Sequence, residues 1–349
     1  MTEKIAIGMS GGVDSSVAAF LLKKKGYTLT GFTLRLWDGG SRCCDLEDIR
    51  SAVRIASSLG IPHYVIDARK EFERVVVRPF VNEYLAGRTP NPCVVCNREI
   101  KFFFLMKQLK LLDCDLIATG HYARIIRHNN EYFLHRAKDQ KKSQEYFLAR
   151  VDKDILKNII FPLGDLTKEQ VTRISKKNKI SIQREESQEV CFITERSYYD
   201  FILKNIKEQK DYSGKIIDQK NKILANHDCY FKYTIGQRQG LGISDRTPYY
   251  IMAIDAPNNN VIVGKREDML KRKFTIKDPY WYKEFKGLTE KLEVKIRYNH
   301  KQASAKIKNE NGLFAISFTR NQYAITPGQL AVFYKGDMVV GSGWIDRVL

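Results

Sequence analysis

The chain has 349 residues, 43% apolar and 28% charged, an ordinary soluble balance for about two or three domains. Fifty-nine Lys and Arg against 40 Asp and Glu leave a formal charge of +19, an excess that suits a polyanionic partner such as nucleic acid. No run of about 18 apolar residues exists, so a transmembrane helix is excluded; Met1-Thr2-Glu3-Lys4 lacks the basic-then-apolar opening of a signal peptide, and a cytoplasmic location with seven reduced cysteines is expected.

Lys4 to Met9 reads as a short buried strand, and Ser15 to Lys25 as a helix that Gly26 stops. Tyr27 to Leu36 is strand-like, Leu46 to Leu59 an amphipathic helix closed by Gly60-Ile61-Pro62, and His63 to Ile66 another strand. Glu71 to Leu85 reads as a helix disturbed by Pro79. Arg98 to Leu112 follows as a strong helix and Leu116 to Thr119 as a buried strand. Strands alternating with helices predict a parallel α/β sheet, with ligands collecting at the carboxyl ends of its strands, where the loops after Met9, Leu36 and Thr119 fall. From about Tyr198 the pattern changes. Lys204 to Lys222 reads as a polar connector, and the short runs Tyr249 to Ile254, Val261 to Val263, Leu292 to Tyr298, Leu313 to Phe318 and Ala331 to Tyr334 predict a small barrel or sandwich.

Ser10-Gly11-Gly12-Val13-Asp14-Ser15-Ser16 joins the first strand to the first helix. Two glycines let the backbone N–H groups approach an anion, the helix start adds its positive dipole end, and Ser10, Ser15 and Ser16 supply hydroxyls. No Gly-Lys-Ser/Thr follows, so this is not a Walker A loop. Pro90-Asn91-Pro92-Cys93-Val94-Val95-Cys96-Asn97 forms a stiff loop. A helix beginning near Arg98, with Arg98 and Lys101 nearby, is expected to lower the thiol pKa of Cys96. A second thiol, Cys191, lies in Val190-Cys191-Phe192-Ile193. Cys114 reads as a core residue, Cys43-Cys44 as a loop pair and Cys229 as packed. Cys93-x-x-Cys96 is half of a zinc pattern with no second half in the chain.

The phosphate loop resembles the PP-loop of ATP pyrophosphatases, which cleave ATP to AMP and pyrophosphate. Further stretches extend the resemblance: Thr89 to Phe102, Thr119 to Arg124, Val190 to Ile193, Tyr233 to Gly242, Val294 to Tyr298 and Thr326 to Tyr334. Together they resemble the tRNA-specific 2-thiouridylase family over nearly the whole length. The resemblance implies an α/β fold with a parallel-sheet PP-loop nucleotide-binding domain over 1–200, a small central domain over 201–273 and a C-terminal β-barrel over 274–349.

It also implies ATP-dependent conversion of a tRNA wobble uridine to 2-thiouridine by a monomeric enzyme using ATP and Mg2+. A cysteine desulfurase or sulfur-relay protein would supply the sulfur. Cys191 would carry a persulfide; Cys96 would act as nucleophile and form a disulfide with it. ATP contacts would come from Gly8, Met9, Ser10, Gly11, Gly12, Val13, Asp14, Ser15, Leu34 and Gly120. RNA contacts would come from Asn91, Pro92, Cys93, His121, Lys142, Ser143, Gln144, Arg297, Tyr298 and Gln329. The chain departs from the family pattern in three places. Cys93 stands where Asp is frequent, Lys142-Ser143-Gln144-Glu145 where Lys-Asp-Gln-Ser is common, and Cys229 where glycine is common. With Cys96 and Cys191, Cys93 also offers three ligands to a [4Fe-4S] cluster with one open iron.

Overall fold

A computed structural model describes residues 3–37, 46–109, 111–180, 190–193, 195, 197–206, 210–283, 291–310 and 312–349. The expectation for Cys43 and Cys44 falls outside the described residues, as do Ser187 to Glu189. The chain divides into two compact units. One holds Met1–Val77, Pro92–Arg196 and Asp337–Val339; the other holds Arg78–Asn91, Ser197–Gly336 and Val340–Leu349.

The first unit is built on a five-stranded sheet. Its strands are Lys4–Gly8 (β1), Thr28–Arg35 (β2), His63–Asp67 (β3), Leu116–Ala118 (β4) and a short strand at Ile159–Ile160, in the order β3-β2-β1-β4 and then Ile159–Ile160. All neighbours pair in parallel. Ile5, Ala6 and Ile7 of β1 are fully buried, as a central parallel strand covered on both faces requires. Val13–Lys24 (α1) brings Val17, Ala18, Ala19 and Leu22 into the core that Ala52, Ile55 and Ala56 of Leu46–Ser58 (α2) share. Gly26, at φ +87, ends α1 as predicted. Because the sheet is parallel, the loops after β1, β2 and β4 lie on one edge, which is the arrangement predicted.

Two helices differ from expectation in their geometry. Residues 69–85 are helical throughout, but Glu73–Val77 is a π-helical stretch set between Arg69–Phe72 and Arg78–Leu85. Pro79 lacks an N–H and its ring crowds the carbonyl four residues back, and the widened turn just before it accommodates both. The helix predicted from Arg98 begins earlier, at Pro92, continues as a π-helical stretch through Cys96–Phe104 and ends with Leu105–Gln108. Pro92 suits a first helical position because the N–H it lacks would have no partner there. A hairpin of Ala123–His128 (β5) and Glu131–Arg136 (β6), which the sequence reading left unassigned, follows β4.

In the second unit, a helix at Tyr198–Asn205 is capped by the Ser197 hydroxyl, which accepts from the Asp200 N–H. The stretch read as a connector, Lys204 to Lys222, contains a strand, Gly214–Asp218 (β7). Its two buried isoleucines, Ile216 and Ile217, pair in parallel with Val261 and Ile262, so long-range pairing overrides the polar local composition. Ile223–His227 (β8), Tyr250–Asp255 (β9) and Asn260–Gly264 (β10) complete a four-stranded sheet in the order β9-β10-β7-β8.

The expected barrel follows. Leu270–Trp281 (β11), Lys291–Lys295 (β12), Ala303–Glu310 (β13), Leu313–Tyr323 (β14), Leu330–Lys335 (β15) and Met338–Val348 (β16) run in the order β11-β14-β13-β12-β15-β16, and β11 pairs with β16 to close the ring. Phe274, Ile276, Val294, Ile307, Ile316, Phe318, Phe333 and Ile345 fill it. Trp281 stacks on Phe333 with ring centroids 5.2 Å apart.

Candidate active site

At the β1–α1 loop, Gly11 adopts φ +75, and a Cβ there would lie 2.6 Å from the Asp48 carbonyl oxygen. Only glycine fits such a turn without displacing α2. Gly12 precedes α1 in extended conformation, and no side chain caps the helix, so first-turn N–H groups are available to an anion. The serines do more bracing than predicted. Ser15 Oγ donates to Gly12 O at 3.1 Å and accepts from Ser10 N at 3.1 Å, while Ser16 Oγ donates to Gly12 O at 2.8 Å. Across from them, Gly120 passes so close that a Cβ would sit 2.7 Å from Ser15 N and 2.8 Å from the Asp14 carbonyl carbon. Gly8 and Met9 lead from β1 into this loop: Thr33 Oγ1 donates to Met9 O at 2.6 Å, and Gly8 pairs with Phe32 in the register of β1 and β2; Leu34 is a buried residue near the end of β2. The uncapped helix start and its glycine-lined backbone fit a phosphate.

Asp14 has two partners that the sequence reading did not single out. Its carboxylate accepts from Tyr122 Oη at 2.8 Å and pairs with Lys168 Nζ at 2.8 and 2.9 Å. Lys168 opens the helix Lys168–Lys177, which Thr167 and Gln170 cap reciprocally. That Thr-x-x-Gln capping signature is visible in the sequence, but the ion pair spans 154 residues and has no local signal.

The cysteines depart from expectation. Cys96 sits inside a helix, not ahead of one, and is 7% exposed. Burial pushes its thiol up to about 12; Lys101 opposes this without reversing it. The predicted lowering by a helix start and by Arg98 is therefore corrected. The helix starts at Pro92, four residues ahead of Cys96, and Arg98 pairs with Glu99 at 3.3 Å. Burial likewise lifts Cys93 to about 11, with Cys191 adding to the rise. Cys191 and Cys93 also add to the rise at Cys96, so the three thiols act on one another electrostatically. Phe192 anchors the Cys191 segment by an edge contact with the fully buried Phe72, centroids 5.4 Å apart. Asn97 Nδ2 holds the cysteine helix to Phe147 O at 3.1 Å.

Among the described residues no group of three or more His, Cys, Asp or Glu side chains is disposed to hold a metal ion. As placed, the three cysteines do not fit a [4Fe-4S] cluster. Cys114 is half-buried rather than core, its Sγ donating to Leu112 O at 3.2 Å; Cys229 is packed as expected, 2% exposed.

His121 shares a hydrogen bond with Thr119 Oγ1 at 2.8 Å and meets both Phe102 and Phe161, with ring centroids 6.2 and 6.0 Å away. Burial first, and then the Lys101 charge, hold its pKa well below the usual histidine range, so the ring is neutral at neutral pH. Lys101 thus acts on Cys93, Cys96 and His121 together. Cys96 and Lys101 are the first and sixth residues of the π-helical stretch Cys96–Phe104, in which backbone bonding runs from i to i+5.

The residues expected to meet RNA are dispersed. In the first unit, Lys142 is partly exposed, but Ser143 is 3% exposed, its hydroxyl donating to Glu145 Oε2 at 2.5 Å and accepting from Ala137 N at 2.8 Å. Gln144 binds Tyr122 through both its side chain and its backbone, at 2.9 and 2.7 Å. Pro92 is buried and Cys93 partly exposed. In the second unit, Gln329 Nε2 donates to Thr89 O at 2.9 Å and Pro90 O at 3.1 Å, just ahead of the buried Asn91. Arg297 donates to Ile235 O at 3.0 Å and to Thr326 Oγ1, and Tyr298 lies under Lys295 Nζ at 5.2 Å.

Three family models cover the chain in order. One described as tRNA methyl transferase HUP domain matches residues 3–195, tRNA methyl transferase PRC-barrel domain matches 199–265, and aminomethyltransferase beta-barrel domain matches 271–345. The whole chain is 39% identical to the tRNA-specific 2-thiouridylase MnmA of Geobacter metallireducens, covering 99% of that protein. It is 42% identical to tRNA-specific 2-thiouridylase MnmA 2 of Thermoanaerobacter sp. (strain X514), again over the whole chain and 99% of the relative. For tRNA-specific 2-thiouridylase MnmA of Clostridioides difficile the identity is 39%, over 100% of this chain and 99% of that one.

Proposed function

This chain belongs to the tRNA-specific 2-thiouridylase family, and from that premise we propose that it is a tRNA-uridine 2-sulfurtransferase that adenylylates the 2-oxygen of a wobble uridine and replaces it with sulfur carried by Cys191. One observation supports the reading above the others: the glycine-lined start of α1 and the free thiols of Cys93, Cys96 and Cys191 belong to a single compact unit.

ATP is a substrate here, and Mg2+ accompanies it, neutralising phosphate charge. The N–H groups of the first turn of α1 hold and orient the phosphates, and the close passage of Gly120 over Ser15 shapes the loop around them. The uracil 2-oxygen attacks the α-phosphorus, and pyrophosphate leaves. Cys191 arrives at this step as a persulfide, charged by a cysteine desulfurase or sulfur-relay protein. Cys96 attacks the inner sulfur of the persulfide, forming a Cys96–Cys191 disulfide and releasing the outer sulfur as hydrosulfide. Hydrosulfide adds at C2 and AMP departs, leaving 2-thiouridine; an external thiol then reduces the disulfide. Lys101 stabilises the Cys96 thiolate once it forms.

Cys96→Ser and Cys191→Ser separate the two halves of this reaction. Each variant should release pyrophosphate in a tRNA-dependent way while forming less than about 1% of the 2-thiouridine of the wild type, a loss within reach of removing a nucleophile. Full thiolation by Cys191→Ser contradicts the proposal. A PP-loop ligase acting on a small carboxylate would be indifferent to both changes.

A further inference from the structure

Two residues outside the predicted site each reach it from one end and reach the segment Asp139 to Gln144 from the other. Lys168 sends its ammonium to both oxygens of Asp14, at 2.8 and 2.9 Å, while its backbone N–H donates to Asp139 Oδ2 at 3.0 Å. Tyr122 sends its hydroxyl to Asp14 Oδ1 at 2.8 Å, while its backbone N–H donates to Gln144 Oε1 at 2.9 Å and its carbonyl accepts from Gln144 N at 2.7 Å. Asp14 stands in the first turn of α1, at the phosphate loop. Asp139 in turn organises the segment that carries Lys142: Lys141 N donates to Asp139 Oδ1 at 3.1 Å and Lys142 N to Asp139 O at 3.2 Å.

Neither bridge is loose. Tyr122 is 2% exposed. Lys168 leaves a helix start fixed by the reciprocal Thr167–Gln170 cap, and its ammonium lies 6.0 Å from the Tyr122 ring centroid. The Asp14 and Lys168 side chains are only 20% and 23% exposed, so their attraction is screened less than that of a surface pair. The two bridges share Asp14 at one end and reach Asp139 and Gln144, the two ends of one short segment, at the other, so displacing Asp14 strains both.

We propose that Lys168 and Tyr122 are positioning residues that couple ATP at the phosphate loop to tRNA at the Asp139–Gln144 segment, so that each ligand tightens the binding of the other. The inference rests on the thiouridylase reading, because it takes that segment to meet RNA. A ligand that fixes one end of the bridges fixes the other, and the second ligand meets a segment already placed. Linkage requires the two enhancements to be equal.

The test uses the full chain, a tRNA transcript with a wobble uridine, and the non-cleavable α,β-methylene analogue of ATP. The dissociation constant of each ligand is measured with and without the other. The wild type should show the same enhancement in both directions, at least about fivefold, the lower bound of ordinary coupling. Lys168→Met and Tyr122→Phe should reduce it below about twofold while leaving nucleotide-free tRNA affinity within about twofold of the wild type; Lys168→Arg should retain it. Tyr122→Phe removes only the hydroxyl, so it remains informative if Lys168→Met fails to fold. An enhancement near one in the wild type overturns the inference, as does full coupling in folded Tyr122→Phe and Lys168→Met. A wild type that shows this coupling yet makes no 2-thiouridine with cleavable ATP overturns the functional reading instead, and a wild type that makes 2-thiouridine without coupling overturns only the inference.

Discussion

Burial governs Cys96 more than the cation beside it. A helix start lowers a thiol pKa only where the sulfur faces free N–H groups, and Cys96 lies beyond the first turn, 7% exposed. The thiols of Cys96 and Cys93, pushed up to about 12 and 11, are protonated at neutral pH. Their thiolate fractions therefore grow about tenfold per pH unit until pH approaches those values. Iodoacetamide labelling of Cys96, followed by peptide mass spectrometry, should show a rate that climbs from pH 7 to pH 9 without a plateau. A plateau at or below about pH 8, close to the ordinary cysteine pKa, contradicts this account. The same residue shows where sequence reading stops. The motifs around Cys96 and Cys191 single out both cysteines in the sequence; that Cys96 is buried within a π-helical stretch has no local signal, and neither has the contact between Phe72 and Phe192, 120 positions apart, that anchors the Cys191 segment.

The elements of the first unit were legible where local chemistry and tertiary need agree. β1 reads as an apolar run and is buried on both faces; α1 ends at a glycine with positive φ; α2 matches its amphipathic pattern to within a residue. The misplaced boundaries have physical causes. The cysteine helix starts at Pro92 because proline is tolerated in a first turn. The strand Gly214–Asp218 hides in a lysine-rich stretch because its partner is supplied from about 45 residues downstream. The helix Lys168–Lys177 is the element on which the position of Lys168 depends, and its cap is local chemistry. Thr167→Ala removes the hydroxyl that accepts from Gln170 N and should cost about 1 kcal/mol of unfolding free energy, read as a shift of the urea midpoint at constant slope. A midpoint unchanged within error would show that the cap does not hold this helix start.

At the scale of the whole chain, a formal charge of +19 pointed to a polyanion but not to where it binds, and the residues expected to touch RNA fall in both units. Several of them are committed inside the protein. Ser143 binds the buried Glu145, Gln329 binds the Thr89 and Pro90 carbonyls, and Arg297 binds Ile235 and Thr326. These partners lie up to 240 residues away, beyond any motif. The C-terminal strands, by contrast, were legible as a small barrel or sandwich, because inward residues alternate along each strand; that they close into a barrel, and that Tyr250–Asp255 and Asn260–Gly264 belong to a separate sheet, depends on pairings outside any local pattern. In the proposed reaction ATP activates a uridine oxygen, and a thiol of the same chain delivers sulfur to the activated carbon. The most direct measurement is nucleoside mass spectrometry of a tRNA bearing a wobble uridine, after incubation with the purified chain, ATP, Mg2+ and a persulfide donor under reducing conditions. The account predicts 2-thiouridine at the wobble position, formed with one equivalent each of AMP and pyrophosphate and lost when ATP is omitted. Folded protein that binds the tRNA and ATP yet leaves the uridine unmodified would contradict it.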